Sequence, residues 1–383
     1  MCGLVFNICV CYNTILWGDI MNDDFIKVLN LGAFTDNEKK LINSDFTYKK
    51  KMSRIMKDAR KAAKRDTCYF CGKPVSSFCN SHSVPKFCLK NIALDGEVLT
   101  LNTLVDNPFL DSEKGVENAG VFHLICNDCD SKIFSDYENP DNYNNKPTPK
   151  MINQMALKNS LKSISKRNLE IEQFNILEKN STKAKMISQA KNIANKMDLD
   201  EYINSFTKAK RALEKNSETD YYVCYYEKLN YVVPIAFQAS IALVVDFEGN
   251  IINNIYNPNP EYKIQNIHIS IFPLKQESVI IMFIENGDKR YRPFYKQFNK
   301  LELEDKLAAL TLIMFMYSED MYFSKSIKDV ICNNKTLQDV GKTGQDLIAS
   351  TPFFNPFEIL KKTHDLDKRY DIPNILSEKY KVL

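Results

Sequence analysis

The stretch CYFCGKPVSSFCNSHSVPKFC, residues 68–88, contains a Cys-x-x-Cys pair followed by a histidine and Val-Pro-Lys. A second pair, CNDC, stands at residues 126–129. Each such pair forms a tight turn that points two sulfurs the same way, so two pairs can close one tetrahedral site. We therefore predict a structural Zn²⁺ ion held by four cysteines, namely Cys68, Cys71, Cys126 and Cys129.

The other cysteines support this prediction by their arrangement. The chain has 11 cysteines among 383 residues, an odd number that is scattered apart from the two pairs. This pattern is typical of a reducing compartment in which thiolates bind metal, so we predict a cytoplasmic protein. A thioredoxin-like redox role is less suitable, because neither pair follows a βα pattern. Cys79 and Cys88 are predicted to be small buried side chains.

Composition and charge limit the other possibilities. The chain is 44% hydrophobic and 26% charged, as in ordinary globular proteins, and its net charge of +3 does not by itself indicate nucleic acid. No window approaches the ~20 apolar residues of a membrane span. Residues 1–20 are apolar but lack the features of a signal peptide, so we expect them to be an upstream extension of the fold. Translation could start at Met1 or at Met21.

A basic run, YKKKMSRIMKDARKAAKR, stands at residues 48–65, directly before the first cysteine pair. Its cationic residues recur at helical spacing, opposite an apolar side that includes Ile55 and Ala59. A basic helix that leads into a zinc site is well placed to contact phosphates, although a solvated helix face is the alternative. The candidate nucleic-acid-binding residues are Arg54, Lys57, Lys61 and Lys64.

Three motifs in order, CYFCGKP, NSHSVPKF and HLICNDCDSKIF, resemble the zinc-containing HNH endonucleases, whose core is the ββα-metal finger. In that family a Cys-x-x-Cys pair precedes a strand that ends at a histidine, often with Pro-Lys after it. A second strand then leads into another Cys-x-x-Cys pair that opens a helix. Besides the four cysteines, the chain supplies His82, Pro85 and Lys86 in the expected order.

The resemblance implies roles for several residues. His82 would be the general base that takes a proton from the attacking water. Asp130, directly after the second cysteine pair, would bind a catalytic Mg²⁺ or Mn²⁺ ion that is separate from the zinc. Lys86 and Lys132 would contact phosphate. The implied substrate is nucleic acid, with DNA favoured over RNA.

The sequence departs from the family pattern at two positions. Ser81 stands where the family usually has Asp, Glu or His, a side chain that often binds the catalytic metal. The middle Asn of the family has no clear counterpart, because Asn118 lies a few residues too early relative to Cys126. His123, in a predicted strand, is expected to be a histidine on a sheet face. These departures affect the catalytic prediction more than the fold.

Three functional hypotheses remain open. The first is a metal-dependent HNH-like endonuclease, which by analogy would belong to antiviral defence or a mobile element. The second is a non-catalytic treble-clef module that binds nucleic acid or protein. In the third, residues 217–383 carry the main activity, but no nucleophile–base group or Gly-rich phosphate loop is evident there.

We predict an α+β fold with a small treble-clef or ββα-metal zinc domain, a helical linker and a C-terminal α+β domain. A polar Pro/Asn-rich linker at residues 137–150 is expected to mark a domain boundary. The pattern of the C-terminal part predicts a run of strands followed by helices. The sequence does not indicate which ligand or protein this part binds. The segments are 1–66, an extension and basic helix; 67–140, the HNH-like zinc domain; 150–216, a basic helical connector; and 217–383, the C-terminal domain.

Overall fold

The structure is a computed structural model that describes residues 46–101, 113–179, 182–255, 257, 259, 261–343 and 356–382. Within these ranges the chain is a mixture of helices and antiparallel sheet, so the predicted α+β class is confirmed. The predicted extension at residues 1–20 lies outside them. None of the described helices is both long and apolar enough to cross a membrane.

The basic run forms helix α1, Phe46–Ala62, as predicted. Its apolar side is short, with Ile55 and Ala59 buried and most of the remaining described side chains exposed. This side packs on the long helix α4, Pro149–Leu177, where the Gln173 amide donates to the Met56 sulfur at 2.8 Å. The helix therefore keeps the cationic side chains that the structure describes, from Lys50 to Lys61, at the surface.

In the part of the cysteine-rich region that the structure describes, all elements are short. Strand β1, Ser81–His82, pairs antiparallel with β4, Val121–Phe122, and helix α3, Asn127–Ile133, follows directly. Gly120, at φ +69°, stands at the entry to β4, where a Cβ would collide with the Tyr322 hydroxyl. The elements between β1 and β4 are α2, Lys86–Ile92; β2, Glu97–Thr100; and β3, Lys114–Gly115.

A seven-stranded sheet dominates the chain, in the order β3-β2-β9-β6-β7-β8-β5. Strand β2 pairs antiparallel with β9, with Leu99 opposite Phe323. The sheet therefore crosses from the predicted segment 67–140 into 217–383. The remaining strands are β5, Tyr221–Leu229; β6, Ile235–Ile241; β7, Ile267–Pro273; β8, Ser278–Glu285; and β9, Met321–Phe323.

Both faces of the sheet are covered. In β8, Ile280 and Met282 belong to one hydrophobic cluster, and the alternate residues Ile281 and Phe283 belong to another, because side chains alternate along a strand. The first cluster includes helix α7, Leu303–Tyr317. The other described helices are α5, Thr182–Glu214; α6, Arg292–Lys300; α8, Lys328–Cys332; α9, Lys335–Thr343; and α10, Pro356–Thr363.

Helix α4 lies between the cysteine-rich region and the sheet. Thr148 caps it by accepting from the Met151 N–H at 3.3 Å, and Pro149 occupies the first turn, where its missing N–H costs nothing. Residues 151–161 are all buried, including Lys158 and Asn159. Two of the polar residues in this stretch face different neighbours: Lys158 contacts the cysteine-rich region and Asn159 contacts β7.

Two local predictions from the sequence were wrong. The segment predicted as a linker, 137–150, is packed: Tyr137 and Tyr143 are fully buried, and the Tyr143 hydroxyl donates to the Tyr137 carbonyl at 2.6 Å. Their burial outweighs the Pro/Asn-rich composition. The stretch KRYRPFY, residues 289–295, directly follows β8 in the part of the chain where we predicted a run of strands, but it leads into α6, because Pro293 suits a first helical turn.

Candidate metal centre

The four predicted cysteines come together. One sulfur from each of Cys68, Cys71, Cys126 and Cys129 lies within 4.8 Å of all the others, and the Cys71 and Cys126 sulfurs are 4.0 Å apart. Four thiolates placed about 2.3 Å from a tetrahedral zinc ion would be about 3.8 Å apart. The cluster could therefore hold a metal ion with little rearrangement.

Local backbone geometry brings the two pairs to this arrangement. In the first pair the chain turns at Gly72, whose φ of +70° suits glycine, and the Gly72 N–H donates to the Cys68 carbonyl at 2.8 Å. In the second pair Cys126 is the N-cap residue of α3, so Cys129 falls in the first turn. The Cys126 N–H donates to the Cys68 sulfur at 3.3 Å and links the two pairs.

The electrostatics of the cluster favour a bound cation. Burial raises the pKa of Cys68, but backbone N–H groups of Cys71 and Cys126 outweigh it and lower that pKa to about 7. The pKa of Cys129 is raised, first by burial and then by the neighbouring sulfurs. Since thiolate ligands must be deprotonated, the positive charge of a metal ion would compensate the crowded sulfurs.

A second polar cluster lies beside the cysteines. The Ser81 hydroxyl donates to Asp130 Oδ1 at 2.6 Å, and the Cys79 thiol approaches Asp130 Oδ2 at 3.4 Å. Lys158 Nζ donates to Asp130 Oδ1 at 3.0 Å and to Ser81 Oγ at 2.8 Å. The carboxylate predicted to bind a catalytic ion thus already contacts three side-chain donors. This arrangement does not fit a divalent ion at Asp130.

Lys158 also makes Asp130 a stable anion. Burial would raise the pKa of Asp130, but the Lys158 charge and the Ser81 hydrogen bond hold it below its ordinary value. Lys158 Nζ is in addition 2.9 Å from Glu138 Oε1, and its side chain is fully buried. The sequence analysis missed Lys158 and Glu138, although a lysine that directly follows the apolar residues Met155, Ala156 and Leu157 is an available signal.

His82 lies on β1, half-buried, next to Ser81. Its Nε2 is 3.0 Å from the Val116 carbonyl, which can only accept, so the proton is on Nε2 in the neutral ring. Burial lowers the pKa of His82, and the Val116 carbonyl opposes this without reversing it. The imidazole is therefore neutral near pH 7, with Nδ1 as its basic nitrogen. This state is compatible with a general base.

The other residues that the sequence singled out lie around these clusters. Lys86 pairs with Glu117, and Lys132 is exposed on α3. His123 is exposed, with Nε2 2.8 Å from Asn80 Oδ1, and Asn118 is exposed in the turn before β4. Cys88 is fully buried as predicted, whereas Cys79 is only half-buried.

The basic face of α1 continues towards the cysteine cluster. Three of its candidate residues, Arg54, Lys57 and Lys61, are spaced by three and four positions, which places them on one side of the helix, and all three are exposed. Lys64, also exposed, follows just after the helix ends at Ala62. Arg54 is 3.8 Å from the Asp58 carboxylate, a weak surface pair. The Arg65 guanidinium lies over the ring of Tyr69. In the sequence, Tyr69 stands between the two cysteines of the first pair.

A separate charged cleft lies between α4, α5 and the sheet. Its charges pair with one another: Arg167 is 2.8 Å from Asp198, and Lys162 is 2.5 Å from Asp320. Burial raises the pKa of Asp198 to about 7 although Arg167 opposes it. These internal pairs define no particular ligand chemistry, so the cleft carries less functional information than the cysteine cluster.

Comparison of the chain with protein-family models, with curated proteins and with solved structures gave no match in any of the three. Its function is therefore inferred from the geometry of the cysteine cluster and its surroundings.

Proposed function

We propose that this protein binds nucleic acid through a zinc-stabilised, HNH-like module in residues 67–140, and that the module does not depend on a catalytic metal. In this proposal Zn²⁺ occupies the four-cysteine cluster in a treble-clef arrangement, with the β1–β4 strand pair and α3 around it. A thiolate-bound zinc ion of this kind suits the reducing cytoplasm.

The observation that carries the proposal is the exposed cationic face of α1, which leads directly into the cysteine cluster. Phosphate contacts from such residues release counterions and supply sequence-independent affinity. Exposed Lys132 on α3 would extend this surface. The zinc ion would act indirectly, because it holds the region that follows α1 in a defined shape.

Hydrolysis of phosphodiester bonds is the second candidate function. It is favoured by His82, whose neutral ring and Nε2 contact leave Nδ1 as the basic nitrogen. The hydrogen bonds already made by Asp130 argue against it, since an HNH-like mechanism needs a divalent ion there. Binding therefore has the better support.

The first experiment measures affinity for duplex DNA and for structured RNA over a range of salt concentrations. We compare the wild type with a triple variant, Lys57→Gln, Lys61→Gln and Lys64→Gln. The matched control carries Lys296→Gln, Lys300→Gln and Lys361→Gln, which change three exposed lysines on α6 and α10. If Lys57, Lys61 and Lys64 each contact one phosphate, the salt slope of log affinity falls by about 3 in the first variant only. Equal affinity of the two variants would refute the proposed surface.

The same substrates, incubated with Mg²⁺ or Mn²⁺, test the second candidate. Cleavage by the wild type that disappears in His82→Ala, at unchanged zinc content, would establish hydrolysis and would replace the binding proposal. Binding without cleavage supports the proposal as stated.

A further inference from the structure

We propose that Lys158 is a built-in cation that takes the place of the divalent ion expected at Asp130, so that the cluster around Asp130 binds neither Mg²⁺ nor Mn²⁺. This inference rests on the zinc-stabilised module proposed above, but it does not require that the module bind nucleic acid. It concerns a helix outside the region of resemblance, since Lys158 belongs to α4.

The ammonium group has a complete set of partners. Its three N–H groups are matched by three oxygens, at 2.8 Å from Ser81, 3.0 Å from Asp130 and 2.9 Å from Glu138. The ring of Phe134 lies on another side, with its centroid 3.7 Å from Nζ, a cation–π distance. A lysine ammonium has three donors and no acceptor, so no hydrogen-bonding capacity remains for a ligand.

The charges also match this role. Two carboxylates, Asp130 and Glu138, converge on one point from α3 and from the turn that follows it. Buried or partly buried anions need a cation close by, because desolvation is otherwise costly. The Lys158 side chain is fully buried, and the positive charge required at this point thus comes from the chain itself.

The same arrangement explains Ser81. A serine hydroxyl is a poor ligand for a divalent ion, yet it can accept from an ammonium and donate to a carboxylate at the same time. Ser81 does both, towards Lys158 and Asp130. The two differences from the HNH pattern therefore belong together: Lys158 takes the place of the metal ion, and Ser81 takes the place of a metal ligand. Mg²⁺, by contrast, requires oxygens at about 2.0–2.1 Å and usually keeps several waters.

Removal of the ammonium should restore a need for a divalent ion. In Lys158→Met the side chain keeps its approximate length and its apolar contact with Phe134, but Asp130 and Glu138 lose their shared cation. Their oxygens then face one gap between them, and hard oxygen ligands in such a gap are suited to Mn²⁺ or Mg²⁺.

The experiment is thermal unfolding of the full chain with and without millimolar Mn²⁺, with zinc content checked in each sample. The wild type should show no Mn²⁺-dependent change in Tm. Lys158→Met should melt lower and should gain about 4 °C or more on addition of Mn²⁺. The double variant with Asp130→Asn should lose this gain, whereas a purely structural role of Lys158 would give no metal dependence in either variant.

Two results would overturn the inference. One is a folded Lys158→Met protein whose Tm does not respond to Mn²⁺. The other is a Tm increase of the wild type with Mn²⁺ that Asp130→Asn abolishes, and this comparison decides the matter even if Lys158→Met does not fold. Neither outcome depends on nucleic-acid binding, so the proposed function is tested separately.

Discussion

The cysteine-rich region and the large sheet use different means to hold their structure. Strands β1 and β4 have two residues each, and α3 has no fully buried residue. Strands β6, β7 and β8, in contrast, have seven or eight residues that are nearly all buried. The first region adds polar contacts to apolar side chains that belong to a hydrophobic cluster shared with the sheet, whereas the second depends on apolar burial along the full length of its strands.

The difference shows how a short segment can be kept in place. The β1–β4 strand pair is tied to the sheet by the Ser83 hydroxyl, which is 2.8 Å from the Tyr322 hydroxyl, and to α4 by Lys158. Such contacts fix positions but bury little apolar area. The central strands β6, β7 and β8 need no comparable device, because each adds side chains to both hydrophobic clusters.

The largest expected effect follows from removal of one ligand of the proposed zinc ion. Cys126→Ser should abolish zinc binding and unfold the segments around the cysteines, since structural zinc contributes on the order of 10 kcal/mol in small zinc modules. Hydrogen exchange should show loss of protection in residues 67–82 and 120–134 while β6 to β8 stay protected. Cys332→Ser, at an exposed cysteine in α8, is the matched control. Simultaneous loss of protection in both regions would show that they unfold as one unit and would break the comparison.

A smaller effect is expected from a cavity in the sheet. Phe237 is fully buried on β6, between β7 and β9, so Phe237→Ala should lower the free energy of unfolding by about 3–5 kcal/mol. Zinc content should not change. Tyr222→Ala, on the edge strand β5 with a side chain 47% exposed, should cost less than about 1 kcal/mol. Urea unfolding measures the free energy of unfolding of both variants. Equal losses of this free energy in Phe237→Ala and Tyr222→Ala would contradict the difference in burial between the two side chains.

The smallest effect concerns pH. Burial lowers the pKa of His268 and of His364 to about 3. The unfolded chain therefore binds protons below about pH 6.5 that the folded chain does not, so stability falls as the pH decreases from about 6.5 towards 3. At pH 5 the loss should be about 2 kcal/mol for each histidine. His268→Gln should remove about half of this dependence.

Urea unfolding at pH 7 and pH 5 tests this prediction. His123→Gln, which changes an exposed histidine beside the cysteine-rich region, is the control and should keep the full difference between the two pH values. An unchanged pH dependence in His268→Gln would show that the buried ring is not responsible.

Local patterns in the sequence predicted much of this architecture. The cysteine spacing predicted the four-sulfur cluster, and the residue patterns predicted helix α1 and a run of strands in the C-terminal part. A helical connector was predicted for residues 150–216, and the structure has helices α4, which ends at Leu177, and α5, which begins at Thr182, in this segment. These features follow from periodicity and short spacing, which are properties of neighbouring residues.

Other features depend on residues that are distant in the chain. The pairing of β2 with β9 could not be predicted, because a four-residue strand carries no information about its partner. The burial of Tyr137 and Tyr143 was missed since the surrounding composition indicates a linker. The roles of His82, Lys86 and Lys132 stay predictions, as does the division of the chain into domains.

The sequence by itself determined which residues could hold a metal and where apolar strands and helices would form, because these depend on local spacing and on hydrophobicity. Only the tertiary structure decided what Asp130 does. Its cation, Lys158, also contacts Ser81, which is 77 residues away in the chain. A lysine in the middle of a buried helix becomes stable only after two carboxylates and a hydroxyl have been brought to it by folding.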